Sequence, residues 1–195
     1  MIHPHTELRP VGARGLGVFA TRAIPRGTIT WARDALDHAF SEDRAAALPP
    51  ALRDALHRYA YVDPRGDLVV AWDHGRLENH ACAPTCLYTA YDLEIAVRDV
   101  AEGEELTTDY GVLQVVDVGF RCACGAPTCR GQVRADDFDR HAGAWDAAVR
   151  DALPRVEAVA QPLWDLVAEK DAVRAAARAP EALRSCRTLA RPRRP

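Results

Sequence analysis

Lysine is almost missing from this chain. Of 25 basic residues in 195 only Lys170 is a lysine, so nearly every cation is a guanidinium that stays charged at any working pH. An excess of positive charge is missing too: with 28 acidic residues the formal net charge is −3, which gives no global field to draw the protein to nucleic acid or an anionic membrane. Apolar runs are short. None approaches the roughly 18 residues that would span a bilayer, and the start MIHPHTELRP lacks the basic-then-apolar layout of a signal peptide. The expectation is a cytoplasmic protein without a membrane partner. Gly12, Gly15 and Gly17 fall short of the G-x-G-x-x-G pattern and no βαβ unit follows them, so a dinucleotide fingerprint is excluded. Internal repeats and low-complexity linkers are absent.

What is there suits one compact domain with an appendage: 48% of residues are hydrophobic and 27% charged. Residues 8 to 31 read as short strands broken by glycine, with Pro25, Arg26 and Gly27 as a turn. Ser41 can cap a helical turn over Glu42, Asp43 and the alanines that follow. Pro50 can open a second helix with Leu52, Ala55, Leu56 and Tyr59 on one face. Asp63 to Asp67 form a turn, after which LVVAW and EIAVRDV resume β character. Beyond Gly131 the chain turns alanine-rich, and helices are expected over 138–153, 154–160 and 162–179. Trp145, Val149, Leu153, Val156, Leu163, Leu166 and Val167 give them an apolar face to lay on the rest of the protein. The terminal RPRRP reads as a solvated basic tail.

Four segments carry chemistry. Cys122, Cys124 and Cys129 lie on a Gly- and Pro-turned knuckle, and three thiolates so spaced can converge on one zinc ion at about 2.3 Å each. Structural zinc wants a fourth ligand, for which Cys82, Cys86, Cys186 and the histidines are candidates. Asn79 and His80 precede a proline-stiffened loop that can present an amide, an imidazole and backbone carbonyls to a ligand. Tyr110 ends a strand just before Gly111, where a phenol can orient a nucleophile or accept a proton. Gly15 and Gly17, in Arg14-Gly15-Leu16-Gly17, leave a backbone that can be approached closely.

Taken in this order, the four segments over Leu8 to Gly131 resemble the SET-domain family of protein lysine methyltransferases. There a G-x-G turn, an N-H-S-C-x-P-N segment and a G-E-E-L-T-Y-D-Y segment surround S-adenosylmethionine, and a C-x-C-x4-C post-SET tail closes the site. The resemblance implies a mainly β protein with a helical insertion at about 41–60 and a helical C-terminal extension. The fold it implies is the SET β-clip, its C-terminal piece threaded through a loop as a pseudoknot. The catalytic domain would cover 8–118, the zinc knuckle 119–131 and the extension 132–195. It implies that Arg14, Gly15, Leu16, Gly17, Arg76, Asn79 and His80 hold the cofactor, with Tyr110 as the catalytic tyrosine. Cys82 then completes one structural zinc site with Cys122, Cys124 and Cys129, leaving Cys86 and Cys186 spare.

The implied partner is a protein bearing a target lysine. A monomer and a dimer through the C-terminal helices are both consistent with it, and the net charge argues against nucleic acid. Three positions depart from the family: Ala81 stands for the usual serine, Thr85 for asparagine and Thr108 for an aromatic. They motivate the rival expectation of a catalytically silent SET-like module that binds a protein partner.

Overall fold

The computed structural model describes residues 1–114 and 119–189; the RPRRP tail lies outside them. The chain runs β1 (Thr6–Pro10), β2 (Leu16–Ala20), β3 (Ile29–Ala32), β4 (His38–Phe40), α1 (Glu42–Ala46), α2 (Pro50–Tyr59), β5 (Tyr61–Val62) and β6 (Leu68–Val70). It continues through β7 (Asn79–His80), β8 (Cys86–Tyr88), β9 (Leu93–Ala96), β10 (Glu105–Thr108) and α3 (Tyr110–Leu113). After these come β11 (Gly119–Arg121), β12 (Gln132–Arg134), α4 (Asp137–Ala152) and α5 (Lys170–Arg178). No helix among the described residues is long and apolar enough to cross a membrane.

The strands make small sheets, in the orders β1-β2-β10-β7, β3-β9-β8 and β4-β6-β5, with β11 and β12 as a separate hairpin. Short strands follow from the punctuation. In the Pro25–Gly27 turn, Gly27 has φ +88° and its backbone passes so close to Arg155 that a Cβ would lie 2.6 Å from that side chain. Only glycine meets both demands. The helical insertion forms as its caps dictate: Ser41 accepts from the Arg44 N–H at 3.4 Å, and Pro50 opens α2. The apolar face of α2 is narrower than its sequence suggests. Leu56 is buried, in a small cluster with Ala45, Ala60, Val62 and Leu68, whereas Leu52 and Tyr59 are exposed.

The C-terminal extension lies on the β body and shares one core with it. Trp145, Val149, Leu153, Val156, Leu163 and Val167 pack in the same cluster as Ile29, Leu87, Ile95 and Leu106; at about 1.5–3 kcal/mol for each large apolar side chain buried, this face is a principal source of stability. The helix expected over 162–179 begins only at Lys170. A side chain claims the segment before it: Gln161 donates to Gly27 O at 2.8 Å and accepts from the Ile29 N–H at 2.8 Å. That tether docks the chain on β3 in a conformation a continuous helix could not keep.

Candidate active site

Two sheets and a loop deliver the segments singled out in the sequence. β7 pairs in parallel with β10, setting Asn79 beside Thr107 and His80 beside Thr108, while β10 pairs on its other side with β2. This brings Gly17, Asn79 and Glu105 together. The Asn79 amide donates to Leu16 O at 2.9 Å and to Glu105 Oε1 at 2.8 Å. Arg14 grips Glu105 with two guanidinium bonds, 3.1 and 2.8 Å. The two glycines serve different ends. Gly15 has φ +82° over open space, and Gly17 admits a neighbour, since a Cβ there would lie 2.4 Å from Glu105 Oε1 and 3.1 Å from the Asn79 amide. Arg76 is held apart from this ion pair by the carbonyls of Trp72 and Asp73, each accepting at 2.6 Å.

Tyr110 follows directly from β10 because Asp109 caps α3, accepting from the Gly111 N–H at 3.0 Å. Its phenol donates to the Glu78 carbonyl at 2.7 Å. Burial, reinforced by Glu78 and Glu105, pushes the Tyr110 phenol up, which suits an orienting group. Burial pulls the His80 imidazole below its ordinary value, outweighing the attraction of Asp109. Its Nδ1 accepts from the Tyr110 N–H at 3.2 Å, which leaves the Nε2 proton directed at Cys82 Sγ, 3.4 Å away. Tyr110 opens on a cavity of about 80 Å³ lined by aromatic and acidic side chains, Arg76 among its walls.

Cys82, Cys122, Cys124 and Cys129 converge, their sulfurs all within 4.8 Å of one another and the Cys82–Cys122 pair at 3.7 Å. A tetrahedron of Zn–S bonds of about 2.3 Å sets sulfurs about 3.8 Å apart, so the cluster has the size of a metal cage. Backbone N–H groups point at the sulfurs: Cys82 at Cys124, Arg130 at Cys82 and Gly131 at Cys129, each at 3.4 Å. Burial pushes the Cys124 thiol up, but the N–H groups of Cys82 and Ala126 outweigh it and bring the thiol to about 7. Cys86 and Cys186 are buried and stand outside the cage.

Several residues at the site carried no signal in the sequence. Phe120 packs edge-on against His80 and Tyr110, with ring centroids at 5.5 and 6.0 Å. Asp109 accepts two bonds from Arg130 at 2.8 Å and one from Trp145 Nε1 at 3.1 Å, so one carboxylate joins α3, the knuckle and α4. Glu78 and Glu94 are buried beside the cavity. The departures also find places. Thr85 replaces an amide with a hydroxyl that accepts from the Thr107 N–H at 2.8 Å and donates to Thr107 O at 3.2 Å, and Thr108 lines the cavity.

The family model for the SET domain matches residues 15–111, the stretch that holds Gly15, Asn79, His80 and Tyr110. Among curated proteins the chain is similar to "Histone-lysine N-methyltransferase, H3 lysine-4 specific" of Schizosaccharomyces pombe, 44% identical over 63 residues, covering 29% of this chain and 7% of that protein. It is also similar to two Drosophila melanogaster proteins. "Histone-lysine N-methyltransferase trr" is 29% identical over 128 residues (60% of this chain, 5% of that protein). "Histone-lysine N-methyltransferase ash1" is 28% identical over 146 residues (68% of this chain, 6% of that protein). The chain thus spans a small fraction of the length of these relatives.

Proposed function

Because the chain belongs to the SET-domain family, we propose that it is a protein-lysine N-methyltransferase, moving a methyl group from S-adenosylmethionine to the ε-amine of a lysine in a protein substrate. The observation that carries this reading is the placement of Tyr110. Its phenol stays protonated, is fixed on the Glu78 carbonyl, and faces a small cavity one residue beyond β10, the strand that pairs with Asn79 and His80 of β7. A phenol oxygen so oriented can accept from an amine and align it for in-line attack, and desolvation by the cavity walls favours the amine's neutral form. The cofactor supplies an electrophilic methyl group on a sulfonium. Arg14, Gly15, Leu16, Gly17, Arg76, Asn79 and His80 are the residues that would hold it, and the Cβ-free approach at Gly17 with an amide beside it fits that use. One structural zinc ion would be held by Cys82, Cys122, Cys124 and Cys129, a soft all-thiolate set that suits it, with residues 119–131 acting as a post-SET knuckle. The two threonine departures give no support to a silent module, since Thr85 keeps the loop pinned to β10 and Thr108 leaves the cavity open.

The test uses methyl-labelled cofactor and extract from cells lacking the gene. Tyr110→Phe is expected to keep cofactor affinity by calorimetry and to lose about 10²-fold or more of the methyl transfer. Unchanged transfer would remove Tyr110 from its role, and no cofactor binding by the intact protein would remove the function. With Lys170 as the chain's single lysine, the enzyme alone should give almost no label.

A further inference from the structure

Behind Tyr110 the cavity ends on two carboxyl groups from separate elements. Glu78 precedes β7, and its backbone carbonyl is the one that holds the Tyr110 phenol. Glu94 lies in β9, paired on one side with Trp31 of β3 and on the other with Tyr88 of β8. Both carboxyls are buried, and their oxygens lie within 4.8 Å of each other and of Cys86 Sγ. The wall is aromatic: Trp31, Tyr61 and Tyr88 pack on one another with centroids 5.0 to 6.4 Å apart. Tyr61 and Tyr88 anchor their hydroxyls on Asp92 and are therefore not available to the pair.

Two buried polar atoms of residues lining this cavity have no hydrogen-bond partner: Glu78 Oε1 and Trp31 Nε1. Each belongs to a side chain more than nine-tenths buried. Buried polar atoms are almost always satisfied, so a cavity with a free acceptor and a free indole N–H suits a polar guest. The guest that two carboxyls and an aromatic wall select is an alkylammonium.

We propose that Glu78 and Glu94 act as one unit that takes the surplus proton of the substrate lysine, the Glu94 carboxylate receiving it inside the cavity. This rests on the methyltransferase reading and deepens it. The balance is simple. The ammonium N–H bond breaks and an O–H bond forms on the carboxyl pair. The freed nitrogen lone pair then attacks the methyl carbon, whose bond to sulfur breaks with its electrons left on sulfur. Low dielectric drives the first step, because an ammonium facing a carboxylate costs more to bury than an amine facing a carboxylic acid. Burial, together with Glu94 and the more distant Glu105, raises Glu78 well above the usual range, so Glu78 keeps the pair's own proton; burial raises Glu94 less, against the bonds it accepts from Glu78, Thr108 and Thr30, and leaves it as the member that can take another. The other titratable neighbours stay out of the exchange. Burial and the two glutamates keep Cys86 a thiol, Tyr110 stays a phenol, and Arg58 and Arg76 line the cavity as permanent cations.

Two measurements test the pair. In the first, intact protein labelled with ¹³C at the glutamate carboxyls is titrated with n-butylamine at pH 8, and carboxyl shifts are followed by NMR. Binding should move the Glu94 signal toward the protonated position, and an amine that fails to bind, or binds without moving it, overturns the proposal. This readout needs no turnover, so carboxyl protonation without methyl transfer to any protein would sink the methyltransferase reading and leave the pair standing.

The second is the pH profile of kcat/KM on the methylated protein. The wild type should be level from about pH 8 to 10, whereas Glu94→Gln should rise tenfold per unit and lie about 10²-fold below it at pH 8, tracking the free-amine fraction of a lysine with a pKa of about 10.4. Glu94→Leu serves if Glu94→Gln does not fold, and a variant profile parallel to the wild type would overturn the proposal. A purely structural role would lower the rate without changing its slope.

Discussion

His3 sits beside β3, its N–H on Thr30 O at 2.8 Å and its Nδ1 accepting from the His5 N–H at 3.2 Å. Burial, helped by the neighbouring His5 charge, pulls the imidazole from 6.5 to about 4. The fold therefore holds His3 neutral while the unfolded chain protonates it first. Its contribution to stability is whole above pH 6.5 and is lost as the pH falls toward 4. His3→Asn keeps an acceptor near Nδ1 and removes the titration. The variant's unfolding midpoint should fall less steeply than the wild type's between these pH values, and parallel curves would refute the assignment. At this scale the sequence is legible where local spacing decides, as with Cys122, Cys124 and Cys129, and opaque where pairing decides. Glu94 lies between Leu93 and Ile95, so alternation sends it to the opposite face of β9, which reads as solvent. That face instead meets Trp31, Tyr88 and Glu78, brought by three other elements.

At the scale of elements, Asp109 is where the strand, the short helix and the extension are joined. Its carboxylate caps α3, binds Arg130 through two bonds and takes the Trp145 indole N–H. The aspartate side chain is 1% exposed and the arginine 14%. Asp109→Asn would preserve a cap acceptor while leaving Arg130 only the longer contact to Asp137 at 3.4 Å, and breaking a buried pair from one side costs up to about 3–5 kcal/mol. Tm should fall by about 10 °C and the Trp145 indole NMR resonance should move. A stable variant with that resonance in place would show the ion pair to be incidental. The sequence signalled the local parts of this arrangement and missed the link. Caps, turns and cysteine spacing are written within a few residues, and Ser41, Pro50 and Gly27 behave as their types dictate. The helix expected over 162–169 was lost to Gln161, whose partners Gly27 and Ile29 lie more than 130 positions away, a contact no local pattern records.

For the molecule as a whole, the cysteine cage and the extension form one mechanical unit with the site. Arg130 follows Cys129 directly, its N–H donates to Cys82 Sγ, and its guanidinium reaches Asp109 and thus Trp145 of α4. Gly111 presses so closely on Trp145 that a Cβ would lie 2.9 Å from the indole. Loosening the knuckle must therefore loosen α4 against α3, and with it the support beneath Tyr110. The helical insertion is different, because α2 buries Leu56 in its own small cluster. Stripping the metal with a chelator under reducing conditions should remove one zinc ion per chain. Hydrogen-exchange protection should then fall in α3, in α4 and in the Asn79–Cys86 loop while α2 stays near its original protection. If α2 opened to the same extent as α4, the metal would be holding the whole fold, and the route from the cage through Arg130 to Tyr110 would have no separate existence.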